Sequence, residues 1–358
     1  MESAGMKSVS LRSVGEMCAQ ALVPPEKLEA LAEVAARYAV ALTPAMADLI
    51  DGNDPDDPIA RQFVPDAREL EQTPQERADP IADDPFSPLE GVVHRYPDRV
   101  LLKIVNTCAV YCRFCFRREM VGPGRGGLSA KALAAAIAYI ESRPQIWEVI
   151  LSGGDPLILS PRRIKNAVLR LTAIPHVQVI RVHTRIPVVA PELINAALVR
   201  ALRSDKATFV VLHANHPREL TTEARAACAR LVDAGIPMLS QSVLLRGVND
   251  DVETLGALMR AFVACRIKPY YLHHADLAPG TAHLRTTIEE GQELMRSLRG
   301  RFSGLCQPTY VLDIPDGHGK SPIGPNYVSE GVAGDSDDGA TTLIEDYNGR
   351  RHAYPPKP

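Results

Sequence analysis

The run Leu101-Leu102-Lys103-Ile104-Val105 leads directly into Asn106-Thr107-Cys108-Ala109-Val110-Tyr111-Cys112-Arg113-Phe114-Cys115-Phe116-Arg117. A short β-rich run thus ends in three cysteines spaced C-x3-C-x2-C. Three thiolates this close can hold three corners of a cubane iron–sulfur cluster, and the spacing offers no fourth. A low-potential electron-transfer cluster is normally closed by four Cys. Three leave one iron open, and an open iron can chelate a small molecule. The competing readings are a zinc knuckle and three unrelated buried thiols. Zinc takes four ligands, usually in C-x2-4-C pairs, and no second pair exists in the chain.

Outward from this stretch a regular alternation begins near Val100. The β-like runs are Leu101–Val105, Trp147–Leu151, Val177–Val182, Thr208–His213, Pro237–Ser242 and Pro269–His273. Amphipathic runs lie between them. One has Leu133, Ile137 and Ile140 on a single face behind a Ser129 cap, and another opens Ser160-Pro161, an N-cap with Pro at N1. Strand–helix alternation at this period means βαβ units and a parallel sheet, hence an α/β fold. Six units are too few for a closed eight-stranded barrel, which leaves a partial barrel or a doubly wound sheet. Residues 1–90 mix helical stretches, such as the Ala-rich Leu28–Leu42, with turns at Asp51–Asp57 and Ala78–Pro88. The Gly/Asp-rich Gly331–Gly339 reads as a mobile segment before a short tail.

Composition narrows the class. The formal net charge is −3 and the isoelectric point about 6.4, so no basic surface argues for nucleic acid or anionic membrane. No apolar run reaches the ~18 residues of a spanning helix, and Met1–Lys7 leads into no secretory h-region. Seven cysteines, an odd number, fit a reducing compartment, and a cytoplasmic location is expected. Cys18, Cys228, Cys265 and Cys306 read as small buried apolar residues.

In parallel β/α architectures, chemistry gathers at the C-terminal ends of the strands. The cysteines follow the first strand, and Ser152-Gly153-Gly154-Asp155 follows the second. Glycines there let backbone approach a ligand closely, and Asp155 can accept from an ammonium; in isolation such a triplet is only a turn. Further on, Asp313-Ile314-Pro315-Asp316-Gly317-His318-Gly319-Lys320 sets a lysine on a flexible glycine loop, where it can reach a pyridoxal phosphate carbonyl. His94-Arg95-Tyr96-Pro97-Asp98-Arg99 offers two guanidiniums to a phosphate, against the plain reading of an exposed basic turn.

Together these residues resemble the lysine 2,3-aminomutase family of radical S-adenosylmethionine (SAM) enzymes. The resemblance runs from Val92 to Tyr327 and includes Leu245-Arg246-Gly247-Val248-Asn249-Asp250, Pro269-Tyr270-Tyr271, Asp276-Leu277, Gly319-Lys320 and Pro325-Asn326-Tyr327-Val328. It implies a crescent-shaped (β/α)6 partial barrel over residues 91–328, flanked by a mainly helical region 1–90 and a tail 329–358. It also implies a [4Fe-4S] cluster on Cys108, Cys112 and Cys115, with SAM contacted by Ser152, Gly153, Gly154, Asp155, His213 and Gln241. Pyridoxal phosphate would be joined to Lys320, its phosphate held by Arg95 and Arg99 beside Tyr96.

The implied reaction converts free L-lysine to β-lysine by moving the α-amino group to C3. Arg117 would pair with the substrate α-carboxylate, and Asp276 and Asp313 with the side-chain ammonium. An unpaired charge in a poorly hydrated pocket is costly, so a carboxylate pair suits lysine and disfavours glutamate. A branch acting on a lysine in elongation factor P chemistry lacks the aspartate seven residues before the cofactor lysine; Asp313 is present here. That branch, an ornithine or arginine aminomutase, and an iron–sulfur electron-transfer or structural protein are the rival readings. The resemblance further implies an external one-electron reductant of flavodoxin or ferredoxin type and a homo-oligomer. Two positions depart from the family. His273 stands where a tyrosine is expected, and Asp251 stands at a loop position where some members have a zinc-binding Cys. No Cys follows Cys306, so no zinc is expected.

Overall fold

A computed structural model describes residues 9–330 and 342–355. The run Gly331–Gly339, read as mobile, lies outside the described residues.

The six β-like runs are six consecutive parallel strands: β2 (Arg99–Val105), β3 (Glu148–Gly153), β4 (Val179–Thr184), β5 (Ala207–His213), β6 (Met238–Val243) and β7 (Ile267–His273). Three more strands complete the sheet. β1 (Val92–Tyr96) pairs antiparallel with β2, β8 (Thr309–Ile314) adds parallel to β7, and β9 (Gly319–Pro322) closes a hairpin with β8. Strand order follows chain order throughout, so each helical crossover returns beside the strand it left.

The outer face of the sheet is covered by helices that read as sequence suggests. Ala130–Glu141 starts at Ser129, whose Oγ accepts from Ala132 N at 3.0 Å, and buries Ala136, Ile137 and Ile140. Pro161–Thr172 begins with Pro at N1, but Ser160 makes no side-chain cap bond. Aliphatic side chains of these helices and of the strands form one continuous core.

The sheet curls until its edges meet. Lys320 N–H on β9 donates to the Tyr96 hydroxyl on β1 at 2.7 Å. Gly319 makes the approach practicable, since a Cβ there would stand 2.9 Å from that hydroxyl. Every strand from β1 to β9 contributes side chains to a single cavity of about 680 Å³. The result is a nearly closed, mostly parallel β/α barrel.

Two local expectations fail. Lys320 lies on the edge strand β9, paired with Asp313 of β8, and not on a flexible loop. The first long helix spans Leu28–Arg37 and stops short of Leu42, because Leu42 is drawn into an antiparallel bridge with Leu11. Residues 9–90 are accordingly short helices and 3-10 turns joined by extended chain. Beyond the barrel, β10 (Val328–Glu330), β11 (Thr342–Glu345) and β12 (Arg351–Tyr354) form a separate antiparallel sheet. Among the described residues, no helix is long and apolar enough to cross a membrane.

Candidate active site

The cavity runs along the inside of the sheet: Arg99 and Glu148 line it at the starts of β2 and β3, and Ser152, Thr184, His213 and the cysteine loop line it at the C-terminal ends of the strands. The cysteine loop after β2 is its first wall. Gly153 has φ +109°, and a Cβ on it would stand 2.2 Å from Val105 O; a Cβ on Gly154 would stand 2.3 Å from Thr107 O. Both contacts are to backbone, so no side chain fits. Without them, Gly154 N donates to Val105 O at 2.6 Å and Asp155 N to Thr107 O at 3.1 Å. The glycines therefore dock the β3 turn onto the start of the cysteine loop.

The N-terminal region clasps the same loop from outside. Tyr111 N donates to Ala41 O and Arg113 N to Gln62 O. The fully buried Glu69 accepts from Arg113 Nε at 2.9 Å and pairs with Arg118. Arg185, just past β4, donates from Nη1 to Cys112 Sγ at 3.0 Å and pairs through Nη2 with the buried Glu219. The chain gave no sign of this guanidinium's role beyond a charged residue at the end of a strand.

All three thiols are free and line the cavity. Burial pushes the Cys115 thiol up to about 11, with the neighbouring Cys112 adding to the effect, and burial lifts Cys108 further. Without a cation these groups stay protonated, so a cationic cluster is what would make them thiolates. Among the described residues no three His, Cys, Asp or Glu side chains converge on one metal ion. Three free thiols on one loop at the cavity wall are nonetheless available to three irons of a cubane. The residues present fit a three-cysteine cluster.

The other expected residues converge on the same space: Arg95, Tyr96, Arg99, Arg117, Ser152, Asp155, His213, Gln241, Asp276, Asp313 and Lys320 all line the cavity. Their partners differ from what spacing alone suggests. The Asp155 carboxylate already accepts from Leu157 N (3.0 Å), Thr184 Oγ1 (2.7 Å) and Arg185 N (2.7 Å), tying the end of β3 to that of β4. Arg95 and Arg117 both bond Asp83 of the N-terminal region. Arg99 lies over the Tyr96 ring, 3.7 Å from its centroid, with Nη1 2.6 Å from Asp98 Oδ1.

At the far end, Lys320 Nζ donates to Asp313 Oδ1 at 2.6 Å and also contacts Oδ2. Burial alone would raise the Asp313 carboxyl. The neighbouring His273 imidazole and the Lys320 charge outweigh burial and hold it well below the usual carboxylate range. Asp276 goes the other way. Burial first, then the charge on Asp313, pushes it up to about 7. The carboxylate pair thus approaches one bound proton below pH 7 and loses it above, in the absence of a cation other than Lys320.

Three histidines from β4, β5 and β7 complete the lining: His183, His213 and His273. Burial lowers all three, so each is neutral at pH 7. His273 Nδ1 lies 3.6 Å from Asp313 Oδ2, and its Nε2 is buried without a protein partner. His183 Nε2 is likewise unpartnered, which leaves two acceptors or donors for a ligand. Sequence reading missed His183, whose only signal is a histidine at the end of a strand.

Comparison with known proteins places this geometry. Residues 102–258 match the model of the radical SAM superfamily, and residues 295–355 match that of lysine-2,3-aminomutase. The chain is 43% identical over 303 residues to L-lysine 2,3-aminomutase of Clostridium subterminale, covering 85% of this chain and 73% of that one. It is 42% identical over 318 residues to L-lysine 2,3-aminomutase of Acetoanaerobium sticklandii, covering 89% and 77%. Glutamate 2,3-aminomutase of Clostridioides difficile is 36% identical over 305 residues, covering 85% and 72%.

Proposed function

Since the chain belongs to the lysine 2,3-aminomutase family of radical SAM enzymes, we propose that it converts free L-lysine to β-lysine by moving the α-amino group to C3. The observation that carries lysine over glutamate is that Asp276 and Asp313 both line the cavity, close enough for the Asp313 charge to raise Asp276. A cationic side chain is met there by carboxylates, and a glutamate side chain would be repelled.

Cys108, Cys112 and Cys115 would hold the [4Fe-4S] cluster, and Arg185 would offset thiolate charge through its contact with Cys112 Sγ. When bound, the cluster and SAM supply a primary carbon radical able to take a hydrogen atom from substrate C3. Gln241, His213 and the Ser152–Asp155 turn shape the SAM pocket, Asp155 by fixing the turn through its three internal donors. When bound, pyridoxal phosphate supplies a conjugated π-system across which the nitrogen migrates.

Lys320 is the attachment residue. Its Nζ proton must leave before the nitrogen can attack a carbonyl, and Asp313 holds that proton at 2.6 Å. With Lys320 holding the cofactor, Asp313 would be relieved of the lysine charge and would be open, with Asp276, to a substrate ammonium. That ammonium favours the ionised form of both carboxyls, so Asp276 releases its proton as lysine binds. Arg95 and Arg99 take the cofactor phosphate and Arg117 the substrate carboxylate. Enclosure within the sheet excludes water and other hydrogen donors from a radical.

The same reading has the protein work as a cytoplasmic homo-oligomer with a flavodoxin- or ferredoxin-type electron donor; its seven free thiols are compatible with a reducing compartment. The test is parallel anaerobic turnover of L-lysine and L-glutamate with SAM, pyridoxal phosphate and reductant. Turnover of lysine alone supports the assignment, and preference for glutamate overturns it.

A further inference from the structure

Asp83 lies in the N-terminal region, within a run that reads in sequence as a solvated acidic turn. It is instead 1% exposed. Its Oδ2 accepts from Arg117 Nε at 3.1 Å and Nη2 at 2.9 Å, and its Oδ1 accepts from Arg95 Nη2 at 3.1 Å. One carboxylate therefore bridges two guanidiniums that the proposed function gives to two different anions.

The turn that carries it is built for the purpose. Asp79 Oδ1 accepts from Asp83 N and Asp79 Oδ2 from Asp84 N, each at 2.8 Å. Ala82 is held at φ +53°, a left-handed conformation that a residue with a Cβ seldom adopts. That backbone turns Ile81 O and Ala82 O toward Arg95 Nη2, at 2.6 and 3.2 Å. Arg95 is thus fixed by three acceptors, while its Nε is buried without a partner. Arg117 keeps only Nη1 outside the Asp83 contact, 3.4 Å from Ser152 Oγ at the cavity wall. Lys103 lies in the same field, its ammonium destabilised by burial first and then by Arg117. Arg95, Arg117 and Lys103 thus gather round one buried carboxylate, while Asp79 and Asp84 of the same turn act on Lys103 from its edge.

We propose that Asp83 is the positioning residue that orients Arg95 and Arg117 together, so that the cofactor phosphate and the substrate carboxylate are recognised by one braced cationic unit. The proposal rests on the assignment of those two anions above. Two effects oppose each other. Removing the Asp83 charge strengthens the raw attraction for anions, but it frees two long side chains and leaves buried donors unpaired. With both arginines mostly buried, orientation outweighs charge.

The test is Asp83→Asn, read without turnover. Absorbance titration compares pyridoxal phosphate with pyridoxal, which lacks the phosphate. Lysine is then compared with cadaverine, which lacks the carboxylate, by the spectral change each causes in cofactor-loaded protein. The variant should bind pyridoxal phosphate and lysine roughly 10- to 100-fold more weakly, the range for loss of a supporting hydrogen-bond partner. Pyridoxal and cadaverine should be unaffected, as should iron content. Equal weakening with and without the anionic group would reduce Asp83 to a structural residue, and tighter binding of the anions would make it a competing anion; either result overturns the proposal. Should Asp83→Asn not fold, Asp79→Ala, which loosens the turn but keeps the Asp83 carboxylate, must show the same anion-selective loss. Wild-type protein that binds no pyridoxal phosphate would instead overturn the functional assignment.

Discussion

Asp313 and Lys320 face each other across the β8–β9 hairpin as a registered cross-strand pair, with Lys320 Nζ 2.6 Å from Asp313 Oδ1. The ammonium of the attachment lysine therefore occupies the carboxylate proposed for the substrate ammonium. Under the proposed function, joining Lys320 to pyridoxal phosphate would remove that charge and leave Asp313 open to a substrate ammonium.

Specificity follows from this exchange. Truncating one partner of a buried charge pair typically costs about 2–5 kcal/mol, or roughly 30-fold to several-thousand-fold. Asp313→Asn should collapse kcat/KM for lysine by a factor in that range. Norleucine, of similar length but without the ammonium, should lose much less in binding to cofactor-loaded protein. Equal losses would mean that Asp313 only supports the hairpin.

Asp276 gives the pH dependence. Its carboxyl, pushed up to about 7, is protonated below that pH in the free enzyme and ionised above it. The ionised form is the one that attracts an ammonium. Lysine kcat/KM, which reports the free enzyme, should therefore rise along an acidic limb that ends at or above about 7, because attaching Lys320 to the cofactor would remove a charge that lowers Asp276. In Asp276→Asn this acidic limb should disappear and the plateau should fall. An unchanged limb in the variant would assign it to another group.

The nine strands and the cysteine motif were not equally legible. Six strands could be read because β-branched runs alternate with amphipathic helices. β8 and β9 escaped because Pro315, Gly317 and Gly319 punctuate the hairpin like a loop, and β1 because His94-Arg95-Tyr96 reads as a basic turn. Residue type alone was enough to single out the three cysteines and Lys320, which the fold brings to one cavity. It was illegible where a partner distant in sequence decides the role. Asp83 looks like one more acidic turn residue until Arg95 and Arg117 are seen around it, and Arg185 acquires its role only from Cys112 and Glu219.

The glycine turn after β3 should matter to the cluster more than to pyridoxal phosphate. Gly154→Ala sets a methyl 2.3 Å from Thr107 O, displacing the start of the cysteine loop. Iron content and SAM cleavage should fall sharply, as they should on replacing Cys108, Cys112 or Cys115 singly by Ala. Replacing Cys18, Cys228, Cys265 and Cys306 together should spare the cluster in whatever protein folds. Loss of iron there with intact folding would mean that the ligands are misassigned.

The two proposed cofactors have separate anchors. Lys320→Ala should remove the near-420 nm absorbance expected of lysine-bound pyridoxal phosphate and abolish turnover, while the iron–sulfur spectrum persists. Retention of that absorbance would point to a different attachment residue.

The most direct test follows the nitrogen itself. Protein with a reconstituted cluster is incubated anaerobically with L-lysine labelled with nitrogen-15 at the α-amino group, together with SAM, pyridoxal phosphate and dithionite. Carbon-13 NMR then reports which carbon carries the label. The expected result is β-lysine with the label bonded to C3 and none released to solvent. Label remaining on C2 in all lysine recovered from active-cluster protein, or migration seen with glutamate and not with lysine, would contradict the assignment.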